Sequence, residues 1–265
     1  MAQNTGLQRD CKDQFYTCPA VAQMCVALLR KHAPTSAQWI EPSAGTGVFL
    51  DLVPDATGYD LEPLHPRIRQ ADFLQVDLPE GCVVYGNPPF GRQASLAKKF
   101  LRHAAERADW IGFILPRSFV KPSMQKAIPL NFHLVECQEL PENSFVVNGE
   151  PYDVPCVFQV WEWRPESRAV EISPPPSGFR YVAKTDTHHL AFRRVGVNAG
   201  KCCLPSDTLS VQSHYFVQLD DPNRAQSVVT ASQTHVFPTN TTGPRSLSKQ
   251  EATDFLSAAL AAPGR

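Results

Sequence analysis

The sequence predicts an α/β fold in which a Rossmann-like, doubly wound sheet precedes a small, mainly extended C-terminal region. Strand-like and helix-like segments alternate over the first 163 residues, which is typical of a mostly parallel sheet with helices on both faces. The unusual polar motifs stand directly after strands, at the edge where such sheets bind ligands. Hydrophobic residues make up 43% of the 265 residues and charged residues 19%, which excludes a disordered chain.

The first elements surround a glycine turn. A helix is predicted with Pro19 in its first turn, where a missing N–H costs nothing. The strand-like run 38–41 then leads into the turn 42–47, and the apolar stretch after that turn is predicted to be a helix. Two further short strands are predicted to end at Asp60 and shortly before Asp72.

The alternation continues to residue 163. It predicts a strand at 82–86, a helix at 95–107, strands at 110–115 and 132–137, and a last run at 154–163. We therefore divide the chain into an α/β domain at 1–163, a proline-rich connector at 164–178 and a small C-terminal region at 179–265.

The C-terminal region reads as short strands followed by a helix. Extended segments are predicted at 179–184, 190–197 and 215–219, with polar loops between them. Ser248 and Glu251 have the spacing of a capping box, which predicts a last helix ending near Ala261.

The turn Glu41-Pro-Ser-Ala-Gly-Thr-Gly47 predicts a ligand site. Gly45 and Gly47 allow the backbone to approach a ligand closely. An acid that opens the turn would repel a phosphate, but it suits a ligand with an amino group, such as S-adenosylmethionine. The alternative is an ordinary Rossmann turn with unrelated acids at the strand ends.

Two later strand ends supply the remaining groups that this cofactor would need. Asp60 can accept hydrogen bonds from both ribose hydroxyls, and Leu61 can pack on one face of the adenine. Asp72 can accept from the exocyclic amine of the adenine, with Phe73 against the ring.

The loop Asn87-Pro88-Pro89-Phe90 predicts chemistry on a second amine. The exocyclic amine of adenine is a poor nucleophile, because its lone pair is delocalised into the ring. The side-chain carbonyl of Asn87 and the main-chain carbonyl of Pro88 can each accept one amine hydrogen, and the prolines fix both acceptors in advance. Phe90 offers a ring on which a base can stack, and a base within a duplex would first have to be flipped out.

With these motifs, the chain resembles adenine-specific N6 DNA methyltransferases of the small NPPF class common in phages and large DNA viruses. The matching stretches are Asp13–Thr17 with Pro19, EPSAGTG, GYDLEP at 58–63, Asp72-Phe73, GNPPFG at 86–91, FILPRSF at 113–119 and YDVPCVFQ at 152–159, with weaker likeness at 192–201 and 213–216.

The resemblance implies several expectations about fold and site. Residues 1–163 would form an S-adenosylmethionine-dependent methyltransferase domain acting on DNA. Phe15, Thr17 and Pro19 would form a wall of the cofactor site, and Phe145 would clasp the flipped base opposite Phe90. NPPF loops also occur in RNA adenine methyltransferases, and a glutamine amide poses the same nucleophile problem, so RNA and protein substrates stay open. A non-catalytic nucleic-acid-binding module is a further alternative.

Basic residues concentrate in two stretches, although the net charge of the chain is only −1. The stretch 92–126 has eight Lys and Arg against Glu106 and Asp109, and the stretch 179–201 has five against Asp186. We expect contacts to the nucleic-acid backbone from Arg92, Arg117, Lys121, Arg193 and Arg194. For Lys98, Lys99 and Arg102, a plain solvated helix face is an equally good interpretation.

Composition also excludes several classes of protein. The chain has no apolar run long enough to span a membrane, and its polar beginning is unlike a secretory signal, so an intracellular location is expected, in the cytoplasm or in a host nucleus. Its eight cysteines include no CxxC pair, and we expect no metal site, the weak alternative being zinc bound by His188, His189, Cys202 and Cys203. A monomer is compatible with the sequence.

Overall fold

The computed structural model describes residues 15–169, 174–239, 241 and 245–262. Asp13 and Gln14, the beginning of one predicted motif, lie outside these residues. The chain divides into two compact units at 1–170 and 171–265. Over the described residues, no helix is long and apolar enough to cross a bilayer.

A seven-stranded mixed sheet forms the centre of the first unit and confirms the predicted α/β, Rossmann-like fold. Its strand order is β4-β3-β2-β5-β6-β10-β7. The five strands from β4 to β6 are parallel, whereas β10 pairs antiparallel with both β6 and β7. The strands are β2 (Trp39–Glu41), β3 (Thr57–Asp60), β4 (Ile68–Gln70), β5 (Cys82–Gly86), β6 (Ala108–Pro116), β7 (Phe132–Glu139) and β10 (Cys156–Trp163).

Burial on both faces explains why the central strands are apolar throughout. Every residue of β5 is buried, and so are the first six residues of β10. A strand covered on both faces has no solvent-facing side chains, whether it is parallel like β5 or antiparallel like β10, so its sequence is largely hydrophobic instead of alternating. The strands that were easiest to predict are therefore those at the middle of the sheet.

Three helices belong to this unit: α1 (Pro19–Leu29), α2 (Ser95–Ala104) and α3 (Pro122–Gln125). Pro19 begins α1 as predicted, whereas α2 ends three residues before the predicted boundary at 107. The helix predicted after Gly47 is wrong, because the segment forms only a single 3-10 turn at Leu50–Leu52. Only four residues separate this turn from β3, which leaves no room for a longer helix.

A second, smaller sheet has three antiparallel strands, which neighbour each other in the order β1-β8-β9. Its strands are β1 (Tyr16–Thr17), β8 (Phe145–Val147) and β9 (Glu150–Tyr152). Pairing of Thr17 with Phe145 joins segments about 130 residues apart, so this sheet could not be predicted from local sequence patterns.

The second unit has its own antiparallel sheet and core. Strands β11 (Phe179–Val182), β12 (Leu190–Arg193), β13 (Cys202–Cys203) and β14 (His214–Leu219) follow the order β11-β14-β12-β13. Helices α4 (Ala225–Thr234) and α5 (Lys249–Ala261) complete it. The predicted capping box is confirmed, because Ser248 and Glu251 each accept a hydrogen bond from the other's backbone N–H.

Arg168, near the end of the first unit, stabilises the loop that precedes β7. Its guanidinium lies 5.3 Å from the centre of the Trp161 ring, and burial lowers its pKa from the ordinary value. The same group donates hydrogen bonds of 2.5–2.9 Å to the main-chain carbonyls of Gln125, Ile128, Pro129 and Phe132.

We expect Arg168→Ala to destabilise the first unit by about 2 kcal/mol, because four carbonyls lose a charged donor at once. Urea unfolding followed by tryptophan fluorescence measures this unit alone, since all four tryptophans lie in it. The matched control is Arg164→Ala, which removes an ion pair with Glu162 and should cost no more than about 1 kcal/mol. Equal midpoints for the two variants would show that the clamp contributes nothing.

Candidate active site

A pocket of about 540 Å³ lies where the order of the parallel strands reverses. Strand β2 is flanked by β3 on one side and by β5 on the other, so the loops that leave β2 and β5 diverge and open a crevice. Most of the predicted site residues line this pocket: Phe15, Thr17, Glu41, Gly45, Asp60, Leu61, Asp72, Phe73, Asn87, Pro88, Pro89 and Phe90.

Asp60 holds the glycine turn in place. One carboxylate oxygen accepts a hydrogen bond from the Gly45 N–H at 2.8 Å, and the other accepts from the Glu62 N–H at 2.9 Å. Gly45 has φ +49°, and a Cβ there would lie 3.3 Å from the Tyr16 ring. Each carboxylate oxygen has a second lone pair, so Asp60 can position the turn and still accept from a ligand.

Gly47 belongs to the turn but does not face the pocket, in contrast to its predicted role as a cofactor contact. It has φ +84°, and a Cβ there would come within 2.8 Å of the His65 ring. It does not line the pocket. Pro19, the other predicted cofactor contact outside the lining, begins α1 and orients the helix that follows Thr17.

Glu41 is a buried acid at the base of the pocket. Only 1% of the residue is exposed, and its Oε2 has no hydrogen-bond partner among the described residues. Burial raises the pKa of this carboxyl well above its ordinary value, and the nearby charges of Asp60 and Asp51 raise the pKa further. A donor or a cation supplied by a ligand would relieve both the missing hydrogen bond and the cost of ionisation.

The side-chain amide of Asn87 has a fixed orientation. Its Nδ2 donates hydrogen bonds to the Phe15 main-chain oxygen at 3.0 Å and to the Thr17 hydroxyl at 3.2 Å. Its Oδ1 is buried and has no hydrogen-bond partner within the part of the chain that the structure describes, and the Ser43 hydroxyl donates to the Asn87 main-chain oxygen at 3.0 Å. With both amide hydrogens in use, Oδ1 is left as an acceptor for a ligand.

The loop Asn87–Phe90 is anchored to the beginning of α2. The Phe90 main-chain oxygen accepts hydrogen bonds from the Leu96 N–H at 3.1 Å and from the Ala97 N–H at 3.2 Å. Between them, Gln93 and Ala94 have φ 54° and 56°, a left-handed conformation that costs energy for residues with a Cβ. The connection from the loop to α2 therefore has a strained backbone but is held by two hydrogen bonds.

A row of aromatic rings follows the pocket edge. Phe15 stacks on Phe90 with ring centres 6.2 Å apart and on Tyr152 with centres 5.5 Å apart. Tyr152 is 36% exposed. Phe145 is instead fully buried and edge-on to Phe15. Neither Phe145 nor Tyr152 is among the residues that line the pocket, and the contact of Phe145 with a base stays a prediction.

The pocket is acidic. Glu41, Asp60, Glu62 and Asp72 line it, and no Lys, Arg or His is among its described lining residues. Asp72 also accepts a hydrogen bond from the Leu74 N–H at 3.0 Å, which fixes its carboxylate. This charge pattern suits a cationic ligand and opposes a nucleotide phosphate.

The residues predicted to contact the nucleic-acid backbone lie on different elements of the structure. Arg92 is exposed directly after the loop that ends at Phe90. Arg117 pairs with Glu139 at 3.1 Å, and Lys121 is only 8% exposed; their phosphate contacts stay predictions. Arg193 and Arg194 belong to the second unit and bind its main-chain carbonyls.

The sequence interpretation missed several contributors to the pocket. Ser43 connects the loops after β2 and β5, and Leu96 and Phe100 add apolar surface from α2. Ser43 lies within a predicted motif, but its bonding partner is 44 residues away. Across the described residues, no three His, Cys, Asp or Glu side chains are grouped as metal ligands would be.

Comparisons with known proteins give partial relatives. No protein-family model matches the chain. The type II methyltransferases M.HincII of Haemophilus influenzae and M.HindII of Haemophilus influenzae strain Rd are each 27% identical to it over 106 residues. These matches cover 37% of this chain and 21% and 20% of the two relatives, so the chain spans about a fifth of their length.

Solved structures resemble part of the chain at low identity. A candidate RNA methyltransferase of Pyrococcus horikoshii has 16% identity and a TM-score of 0.47, over 61% of this chain and 92% of that one. The M protein of the type I restriction enzyme EcoKI has 17% identity and a TM-score of 0.44, over 58% of this chain and 45% of that one.

We expect Glu41→Gln to stabilise the first unit, by an amount that grows with pH. Burial raises the folded pKa above the unfolded value near 4.5, so between these two values the folded protein keeps a proton that the unfolded chain releases. Wild-type stability therefore falls by about 1.4 kcal/mol per pH unit across that window, relative to the amide variant.

Urea unfolding from pH 5 to 8, followed by tryptophan fluorescence, measures this difference. The exposed Glu142→Gln serves as control and should run parallel to wild type. Parallel curves for wild type and Glu41→Gln would show that Glu41 titrates as a solvated acid.

Proposed function

We propose that the chain transfers a methyl group from S-adenosylmethionine to the N6 amine of adenine in DNA. The observation that carries the proposal is Asn87, whose amide hydrogens are both bonded while its Oδ1 stays buried without a partner beside an acidic pocket. A buried acceptor of this kind needs a donor, and an adenine amine supplies one. The names of the two type II relatives favour DNA as the substrate.

The pocket residues fit a cofactor that combines positive charge with an adenosine. Glu41 would face its amino group, Asp60 its ribose hydroxyls, and Asp72 the exocyclic amine of its adenine. Leu61 and Phe73 would pack on the ring. When bound, S-adenosylmethionine supplies an electrophilic methyl group and a positive charge, and four carboxylates line the pocket for that charge.

Asn87 prepares the acceptor amine. Its Oδ1 and the Pro88 main-chain oxygen each accept one amine hydrogen, which localises the nitrogen lone pair and directs it towards the methyl group. Because Phe15, Thr17 and Ser43 already hold Asn87, little reorganisation is needed when a base arrives. No strong base is required, since the methylated ammonium readily loses a proton.

The aromatic row provides the platform for the flipped base. Phe90 lines the pocket directly after the two prolines, and Tyr152 presents an exposed ring on the other side of Phe15. We assign the second stacking role to Tyr152 in place of the buried Phe145. An enzyme of this kind works where its DNA is, in a cytoplasm or a host nucleus.

A labelled cofactor offered with duplex DNA, RNA and protein tests the proposed substrate. We expect label in DNA only, recovered as N6-methyladenine after digestion to nucleosides. Label in RNA adenine would favour the RNA alternative, and label in glutamine would favour a protein methyltransferase. Absence of transfer to all three substrates, with the cofactor bound, would favour a non-catalytic module.

We expect Asn87→Ala to lower the rate of transfer about 10²–10³-fold while the affinity for S-adenosylmethionine changes little, because an acceptor for the amine is lost. Single-turnover rates and calorimetry measure the two quantities. Thr17→Val is the matched control, since it removes one partner of the Asn87 Nδ2 but keeps Oδ1. A fully active Asn87→Ala variant would remove the assigned role.

A further inference from the structure

Most of the basic side chains in the two basic stretches bind other groups of the protein itself. Lys184 donates to the main-chain oxygens of Asp207 and Leu209 at 2.8 and 2.7 Å, and Lys201 donates to two carbonyls at the end of α4. Arg194 binds the Gln212 carbonyl and lies over the Tyr215 ring. These cations stabilise loops and are poorly placed to bind an external anion.

The exposed face of α2 is different. Lys99 and Arg102 are exposed and Lys98 is half-buried, and with the exposed Arg92 they form a cationic strip. None of the four makes an ion pair or a hydrogen bond with another described residue. Two acids on either side of this stretch have partners of their own: Glu106 lies 3.5 Å from His103, and Glu80 pairs with Arg107.

The opposite face of α2 belongs to the pocket. Leu96 and Phe100 line it, and the Leu96 and Ala97 N–H groups bind the Phe90 carbonyl. By helix periodicity, Lys98 and Arg102 lie on the side of α2 away from Leu96 and Phe100, and Lys99 lies at the edge of that side. Lys98 and Arg102 are one turn apart, about 6 Å along the axis.

The first turn of α2 adds to the same potential. It contains no acidic residue, so the positive end of the helix dipole is uncompensated there. Unpaired cations along one helix face suit an extended polyanion better than a single phosphate, because a repeating backbone can contact several of them at once.

We propose that the cationic strip, made of Arg92 before α2 and of Lys98, Lys99 and Arg102 on α2, docks the sugar–phosphate backbone of DNA beside the pocket. The proposal rests on the proposed function and adds the surface that would bring the strand to the pocket. Because α2 is bonded to the Phe90 carbonyl, backbone contacts here set the distance between the strand and Asn87. Such contacts position the DNA without reading its sequence.

The test is the salt dependence of binding to duplex DNA, measured by fluorescence anisotropy. For Lys99→Ala/Arg102→Ala we expect the slope of log affinity against log salt concentration to flatten by about 2, with affinity about 10- to 100-fold lower at 0.1 M salt. Calorimetry should give an unchanged affinity for S-adenosylmethionine. The variant Lys99→Arg/Arg102→Lys keeps both charges and should keep the wild-type slope.

Lys31→Ala is the matched control for the single variant Lys99→Ala, which should flatten the slope by about 1. Lys31 is exposed just beyond the end of α1, about 16 Å along that helix from the pocket, and pairs with no side chain among the described residues, so its loss should leave the slope unchanged. An equal flattening by Lys31→Ala, or none by Lys99→Ala/Arg102→Ala, would overturn the docking surface.

The outcomes separate this proposal from the proposed function. Methyl transfer to DNA with an unchanged slope leaves the function standing and removes the docking surface. A flattened slope without any transfer supports the docking surface and contradicts the function. Binding to RNA or to an acidic protein, but not to DNA, contradicts both.

Discussion

Asn87 donates both of its amide hydrogens to the segment at 15–17, and the arrangement of the pocket follows from these two hydrogen bonds. They connect the loop after β5 with β1, about 70 residues earlier in the chain. Strand β1 pairs with β8, and β8 pairs with β9, which carries Tyr152. One buried amide thereby fixes its own acceptor atom, the Phe15 ring and the aromatic row at the pocket edge. If this amide were rotated, its oxygen would face carbonyl and hydroxyl oxygens, and the loop would lose its connection to the small sheet.

Charge is strongly segregated within the first unit, although the whole chain has a net charge of only −1. Four acidic side chains line the pocket, whereas exposed cations stand on the outer side of α2. A cationic cofactor and a polyanionic substrate would each meet a surface of opposite sign, on the two sides of one helix. Composition alone argues against a nucleic-acid binder, because it averages over both surfaces.

The sequence predicted the central strands and the pocket motifs because both depend on local patterns. A buried parallel strand such as β5 is continuously apolar, and the acid and glycine positions at 41–47 have a fixed spacing. Pairings between distant segments could not be predicted in this way. In the small sheet, Phe145 is buried and Tyr152 is exposed. The sequence alone does not separate them, because both are aromatic residues between the predicted strands at 132–137 and 154–163. Lys121 carried no signal of burial, because its environment comes from the packing of the turn that contains it. The helix expected after Gly47 failed because the return to β3 is too short.

Three features that cost folding energy meet at the same pocket, and their coincidence is informative. Glu41 is a buried acid with an unpartnered oxygen, and Asn87 leaves a buried acceptor unused. Gln93 and Ala94 take left-handed backbone conformations at the end of the same loop. Each of these costs about 1–3 kcal/mol, and a sequence selected for stability alone would have removed them by single substitutions. A ligand that places a positive charge beside Glu41 and a hydrogen-bond donor beside the Asn87 Oδ1 recovers part of that free energy on binding. The unfavourable features are thus concentrated where their relief is coupled to binding, whereas the central strands of the sheet contribute to an apolar core.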